Sequence, residues 1–353
     1  MSESRHERPG VYSAYDASAV VSAGQASRAI GVAAKAAKGT VGQAVTITGY
    51  AAGTVAFGED VQPGMSMILR LLFANGASTV TAVRVAEEGT VESYQAAFEV
   101  LGREDVQILV CDSAESAVQQ ALRTAVEEAS AARRERIAVV GGSGEDVAAL
   151  VERAAALNSE RMVLVGPDAV DSSGKTLPGA FAAAAVAGVI ASGRDPAVPL
   201  NGAEVKGLGG LQADYSDGDI DLLVRGGVTP LENSGGIISP VRGITTRTKT
   251  GGAADATWRE LTTILIVDDI IPAVRAALRS KFARAKNTAR CRGAIRSQVI
   301  VELEKKVAAE IIDHYGEVTV KASADDPTVC LVEFGFAVAH GLNQIYLTVH
   351  ITV

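Results

Sequence analysis

The sequence is poor in aromatic, cysteine and histidine side chains, and each shortage removes a class of function. Aromatics make up 4% of the chain, while Gly alone contributes 36 residues and Ala is abundant. Small side chains favour close backbone approach over bulky core filling. Cys111, Cys291 and Cys330 are odd in number and widely spaced, with no CxxC pair. That excludes a disulfide framework and a cysteine zinc site, and predicts buried free thiols in a reducing cytoplasm. The histidines are His6, His314, His340 and His350, and none stands in an HxH or HxxxH array. Metal binding and triad catalysis therefore lack partners at useful spacing. No apolar run is long enough to span a bilayer; the most apolar, Ala180–Ala191, is short and alanine-rich. Ser2–Arg8 is charged and has no apolar stretch of a secretory signal. A soluble protein is expected, with no direct membrane insertion and no cofactor.

At 353 residues the chain is too long for one small core, so two or three domains are expected. The net charge of −8 argues against nucleic acid as a general partner.

Hydrophobic patterning divides the chain into five parts. Residues 1–25 are polar and small, broken by Pro9 and Gly10, and read as an extended arm. Residues 26–90 read as β-rich, with strands at Ile30–Ala33, Ala44–Thr48 and Thr79–Val85 separated by turn glycines at 39, 42, 49 and 53. One helix is expected near Met65–Phe73, ending at Asn75-Gly76. Over 91–256 apolar strands (Val106–Val110, Ile137–Val140, Met162–Val165) alternate with amphipathic helices. One helix carries Val118, Leu122 and Val126, the next Leu150, Ala154 and Leu157. That alternation predicts a parallel sheet covered on both faces. Another helix is expected over Ala180–Ser192, followed by a Gly-, Asp- and Asn-rich region.

Residues 257–341 read as an α+β domain. The pattern predicts a strand at Ile264–Val267, a helix from Asp269 with Pro272 in its first turn, and a long helix over Arg290–Tyr315. Strands at Val318–Lys321 and Thr328–Phe336 follow. In the last part, 342–353, Ile345, Leu347, Val349, Ile351 and Val353 alternate with mostly polar residues, a period-two strand. No charged residue follows Glu333 and no proline follows Pro327, so nothing blunts the edge of that strand. Pairing by another molecule is the expectation.

Fragments of catalytic motifs occur, but none is complete. Gly141-Gly142-Ser143-Gly144 follows a strand and precedes a helix, where a phosphate could sit. The dinucleotide fingerprint fails at Val147, and Glu145 and Asp146 would repel an anion, so an ordinary turn is favoured. Glu145 also breaks the nucleophile elbow. Ser172-Ser173-Gly174-Lys175-Thr176 resembles the end of a P-loop, with Ala169 in place of the first glycine and Pro178 interrupting the helix. Asp268-Asp269 could form a carboxylate dyad; helix capping at a strand-to-helix junction is the stronger reading.

Between Ile270 and Val301 there is no acidic residue, but there are Arg275, Arg279, Lys281, Arg284, Lys286, Arg290, Arg292 and Arg296. Either this is a solvated helical face or a surface complementary to an acidic partner. Phe282 is its one aromatic, which disfavours base stacking.

Several segments in order resemble the sheath protein of contractile phage tails and of contractile phage-tail-like bacteriocins. They begin with Arg8-Pro9-Gly10-Val11-Tyr12, Gly31-Val32-Ala33 and Leu72-Phe73-Ala74-Asn75-Gly76-Ala77. They continue through Pro199-Leu200-Asn201, Gly226-Gly227-Val228-Thr229, Val241-Arg242-Gly243-Ile244-Thr245-Thr246-Arg247-Thr248 and Ile266-Val267-Asp268-Asp269-Ile270 to the terminal strand. The resemblance implies a multidomain sheath fold, α/β plus α+β, with extended N- and C-terminal β arms. It implies a structural subunit, not an enzyme, that polymerises in stacked rings around an inner tube. It assigns Gly10, Val11 and Tyr12 to one arm and Ile345, Leu347, Val349, Ile351 and Val353 to the other. Lys281, Arg284 and Lys286 become candidates for contact with the tube protein. Baseplate and tail terminator proteins are implied partners, with assembly in the bacterial cytoplasm and a final place in an extracellular particle. The competing readings are an α/β nucleotide-binding enzyme using the Gly141–Gly144 or Gly174-Lys175 turn, and a shell that does not contract.

Overall fold

The computed structural model describes residues 28–59, 63–343 and 347–349. The chain opens with β1 (Ile30–Ala34), β2 (Ala44–Ile47), α1 (Tyr50–Phe57), α2 (Met65–Ala74), β3 (Val80–Arg84) and α3 (Val91–Arg103). Strands and helices then alternate through β4 (Ile108–Cys111), α4 (Ser116–Ala131), β5 (Ile137–Gly141), α5 (Val147–Leu157) and β6 (Met162–Gly166). Two short strands, β7 (Ala169–Val170) and β8 (Thr176–Leu177), precede α6 (Gly179–Ser192), and β9 (Gly210–Leu211) joins them in a small sheet. Next come α7 (Asp217–Arg225), β10 (Val228–Ser234), β11 (Ile237–Pro240) and the hairpin β12 (Lys249–Thr250)–β13 (Ala253–Ala254). The last part holds α8 (Leu261–Phe282), α9 (Ala289–Ala308), β14 (Ile312–Tyr315), β15 (Thr319–Ala322), β16 (Cys330–Glu333) and β17 (Phe336–Val338).

The large sheet has the order β11-β10-β6-β5-β4-β1-β3-β2. Its inner strands run parallel, and β2 and β11 add antiparallel edges. Strand alternation builds a core on each face. On β5, Ile137 and Val139 enter the core beneath α2 and α6, while Ala138 and Val140 enter the core beneath α3, α4 and α5. The parallel sheet covered on both faces therefore stands as expected. Residues 26–90 and 91–256 supply strands to this one sheet, because β4 pairs with β1 rather than starting a new sheet.

Small residues set the layer spacing. Helix α6 is buried along nearly its whole length. A Cβ on Gly141 would lie 2.0 Å from the backbone carbon of Gly179, so β5 and the start of α6 touch directly. Gly53, expected in a turn, lies inside α1, where a Cβ would come within 2.7 Å of Leu69 Cδ1. That glycine serves a close helix crossing, which the turn reading missed.

The C-terminal part departs from expectation in three places. Ile264–Val267 is not a strand but part of the 22-residue helix α8, with Pro272 in its interior. The β-branched run is overridden by burial at helical spacing. Leu261, Ile264 and Leu265 pack on a core of the large sheet, and Ile266, Ile270 and Val274 on a separate small core. The long helix stops at Ala308, where Glu310 takes a left-handed conformation at φ 57°, and the chain turns into β14. The expected strand Thr328–Phe336 is split: β16 pairs with β15, and β17 with β14.

Candidate assembly interface

The strands after α9 differ from those of the large sheet. They form two separate antiparallel ribbons, β14–β17 and β15–β16. Among the described residues each ribbon keeps both outer edges unpaired. Two-stranded ribbons are marginal alone and offer their edges to further strands. The core they share with α8 and α9 is small. Val320, Val332, Phe334, Phe336 and Val338 are only partly buried against it, and Leu331 is 55% exposed. The large sheet closes its own edge differently: Val205 N donates to Ile238 O of β11 at 2.8 Å and Gly202 N to Pro240 O at 2.9 Å.

Leu347 and Val349 are strongly exposed and lie in no strand. Gly10, Val11, Tyr12, Ile345, Ile351 and Val353 lie outside the described residues, as do His6 and His350.

The basic segment is less uniform than its sequence suggests. Arg275 donates twice to Glu135, at 2.7 and 3.2 Å, so a distant acid neutralises it. Arg296 donates from Nε to Val318 O at 2.8 Å and Arg292 to Asn287 Oδ1 at 2.9 Å. Lys281, in the last turn of α8, donates to Gln298 Oε1. It remains exposed, with Arg284 and Lys286 in the link to α9. These three stay together as an outward cationic corner because they are neighbours in sequence.

Asp268 and Asp269 do not cap a helix. They lie in the middle of α8 and point to opposite neighbours. Arg161, just before β6, donates to both Asp268 oxygens at 2.9 and 3.1 Å. Lys306 on α9 bonds Asp269. Burial pushes the Asp268 carboxyl above the ordinary aspartate range, against the pull of the Arg161 hydrogen bonds and charge. Pattern reading missed Arg161 and Glu135, since nothing local links them to acids or bases more than a hundred residues away.

Both candidate nucleotide turns are filled by the protein's own carboxylates. Gly144 N donates to Asp168 Oδ2 at 2.8 Å, and Ser143 N to Glu145 Oε2 at 3.2 Å. Arg153 in turn holds Glu145. Burial and the nearby Glu145 raise the Asp168 carboxyl. In the second turn Asp171 Oδ1 accepts from Ser173 N, Ser173 Oγ and Lys175 N at 2.8, 2.6 and 3.0 Å. This is the tip of the β7–β8 hairpin, not a strand-to-helix phosphate cradle.

Cys111 is buried, with its thiol pushed up to about 12, whereas Cys291 and Cys330 are partly exposed, contrary to expectation. His314 and His340 are exposed. Among the described residues no His/Cys/Asp/Glu group could hold a metal ion, and no helix is long and apolar enough to cross a membrane.

Comparison with known proteins gives a consistent result. The family model for the phage tail sheath protein central domain matches residues 87–246, and that for the phage tail sheath C-terminal domain matches 253–352. A tail sheath protein of Bacillus phage SP01 is 30% identical over 252 residues, 70% of this chain. The chain spans 43% of that relative's length. A sheath tail protein of Desulfitobacterium hafniense superimposes with TM-score 0.72 at 13% identity, covering 93% of this chain and all of that one. The anti-feeding prophage helical sheath in its contracted state gives TM-score 0.72 at 15% identity, covering 98% and 99% of the two chains. At these identities the two structures establish the fold.

Proposed function

The chain belongs to the phage tail sheath family, and we propose that it is the structural subunit of a contractile sheath. Copies polymerise helically around an inner tube. Contraction drives the tube through a target cell envelope. The family is structural, which removes the enzyme reading, and the carboxylate-filled turns at Gly144 and Lys175 agree.

The observation that carries the proposal is the pair of unclosed ribbons, β14–β17 and β15–β16. Their open edges and partly buried aromatics suit strand addition from neighbouring copies. In this reading residues 1–25, through Gly10, Val11 and Tyr12, and residues 342–353, through Ile345, Leu347, Val349, Ile351 and Val353, supply the added strands. Residues 26–90, 91–256 and 257–341 form the body between them. A heterologous contact of this kind extends into a helical array. Contraction is then a rigid-body rearrangement of bodies that stay connected by their arms. Lys281, Arg284 and Lys286 face an acidic surface of the tube protein. Baseplate and tail terminator proteins cap the two ends. Assembly takes place in the bacterial cytoplasm, and the finished particle acts outside the cell.

The test is deletion of 342–353 from the chain co-expressed with its tube protein. Unchanged circular dichroism with loss of striated tubes in negative-stain micrographs is the expected result. Tubes of normal length and striation would sink the arm assignment. Two sheath lengths in the undeleted sample would separate a contractile sheath from a static shell.

A further inference from the structure

Where the large sheet meets α8, a cleft of about 530 Å³ opens, rimmed by six arginines: Arg28, Arg103, Arg133, Arg134, Arg136 and Arg194. Its lining also holds Glu104, Asp105, Glu135, Asp268 and Asp269. Three of these acids are matched by cations from outside the lining: Glu135 by Arg275, Asp268 by Arg161 and Asp269 by Lys306. Glu104 and Asp105 are left against the six guanidinium groups.

Three of the arginines are held by neutral acceptors. Arg136, 2% exposed, donates to the carbonyls of Leu101, Glu104 and Arg134 at 3.0, 3.3 and 3.2 Å. Arg28 caps the end of α6 through Ile190 O and Gly193 O at 3.2 and 2.8 Å. Arg134 donates to Gly102 O. Carbonyl oxygens position these groups without cancelling their charge, although Arg28 also feels the charges of Asp269, Asp268 and Asp195. The rim is cationic, half of its arginines are held in place, and it suits an acidic partner.

The same chain carries a matching surface. Residues 207–224 contain Asp214, Asp217, Asp219 and Asp221 and no Lys or Arg. Asp214 and Asp217 are exposed, Asp221 is exposed but paired with Arg225 at 3.3 Å, and Leu222 beside them is 58% exposed. Asp219 serves the capping box of α7 with Ser216.

The two surfaces lie at opposite ends of the parallel sheet. Arg28, Gln107 and Arg136 stand just before the first residues of β1, β4 and β5. The acidic segment sits at the other end, since Tyr215 OH lies against Gly166, the last residue of β6. One copy cannot bring them together, but head-to-tail copies can.

We infer that the arginine cleft of one copy receives the acidic start of α7 from a second copy, as a heterologous charged contact between subunits. The inference rests on the sheath reading for its biological setting, but not for its geometry. Segment 1–27 of the same chain is a poorer occupant, because Arg5 and Arg8 offset its Glu3, Glu7 and Asp16.

The test uses full-length chains. Arg133→Glu/Arg194→Glu and Asp214→Lys/Asp217→Lys each reverse one surface, and Asp219 and Asp221 are spared to keep the cap and the pair with Arg225. Each is expected to lower pelletable assembly at least about tenfold at low salt, by like-charge repulsion. The chain carrying both reversals should return to within about twofold of the original, because each contact again joins opposite charges. A second measurement mixes Arg194→Cys with Asp217→Cys, both in a Cys291→Ser/Cys330→Ser background, and adds a short bismaleimide. A mixed cross-link is expected.

Assembly of the original chain with no loss in the single-surface variants, or with no rescue, overturns the inference and leaves the sheath reading standing. So does a cross-link that forms from position 194 to Ser18→Cys, placed in segment 1–27 of the same background, in preference to position 217. A cross-link without tubes supports the inference and overturns the sheath reading. A chain that neither assembles nor cross-links overturns both.

Discussion

Replacing Asp268 by asparagine tests what joins the large sheet to the C-terminal domain. The Asp268 and Arg161 side chains are only 15% and 12% exposed, and two hydrogen bonds of 2.9 and 3.1 Å link them across the junction. Asn keeps the shape and one acceptor oxygen but removes the charge that faces Arg161, leaving it neutral acceptors, Arg136 O at 3.1 Å among them, and the more distant Glu135. Breaking one side of a buried pair costs about 3–5 kcal/mol, because the surviving charge stays desolvated. Arg161→Met should cost a similar amount. The double variant Arg161→Met/Asp268→Leu should lie within about 1 kcal/mol of the original, since burying the pair itself is expensive. The raised Asp268 carboxyl points the same way: desolvation outweighs the pairing. Trp258, the single tryptophan, is packed against the large-sheet core just before α8 and reports on this junction. Urea unfolding followed by its fluorescence, with Asp268→Leu alone as the matching single variant, gives all four corners of the cycle. Additive losses, with the double variant as weak as the sum of the singles, would refute the reasoning. A single-variant loss below about 1 kcal/mol would do so too, since it would mean the pair is effectively solvated.

Other expectations can be checked alongside. Gly141→Ala places a Cβ 2.0 Å from the Gly179 carbonyl carbon, and backbone cannot rotate away; a loss of about 3 kcal/mol or more is expected in urea titrations. For Asp168, burial raises the folded-state pKa, so this group's contribution to stability is greatest below the ordinary aspartate range and falls as pH rises through the raised value. Asp168→Asn does not titrate, so its stability relative to the original chain should climb as pH rises from below the ordinary aspartate range through the raised value, and a flat difference would contradict that assignment. Reversing Lys281, Arg284 and Lys286 to Glu should weaken co-sedimentation with the tube protein by at least about tenfold while leaving thermal unfolding unchanged, and tube binding at the original level would remove the cationic corner from the contact.

The sheet domain was largely legible because its strands are buried on both faces. Runs such as Ile137–Gly141 and Met162–Gly166 declare themselves by continuous apolarity. The helices between them show one buried stripe, as at Val118, Leu122 and Val126. The run at Ile264–Val267 defeated the same reasoning. A short β-branched stretch fits a strand or a buried helix equally well, and here two cores packed on opposite sides of α8 select the helix. The Gly53 turn reading failed because a glycine demanded by a neighbouring helix looks the same as one demanded by a turn.

The sequence by itself determined the alternating sheet, the absence of a complete catalytic motif, and the cationic corner at Lys281, Arg284 and Lys286. All three depend on residues close in the chain, where periodicity and spacing carry the physics. Only the tertiary structure decided that Asp268 pairs with Arg161, that Asp168 occupies the Gly144 turn, and that six arginines share one cleft. Those arrangements bring together charges from distant segments, and their cost and sign depend on burial, which no local pattern encodes.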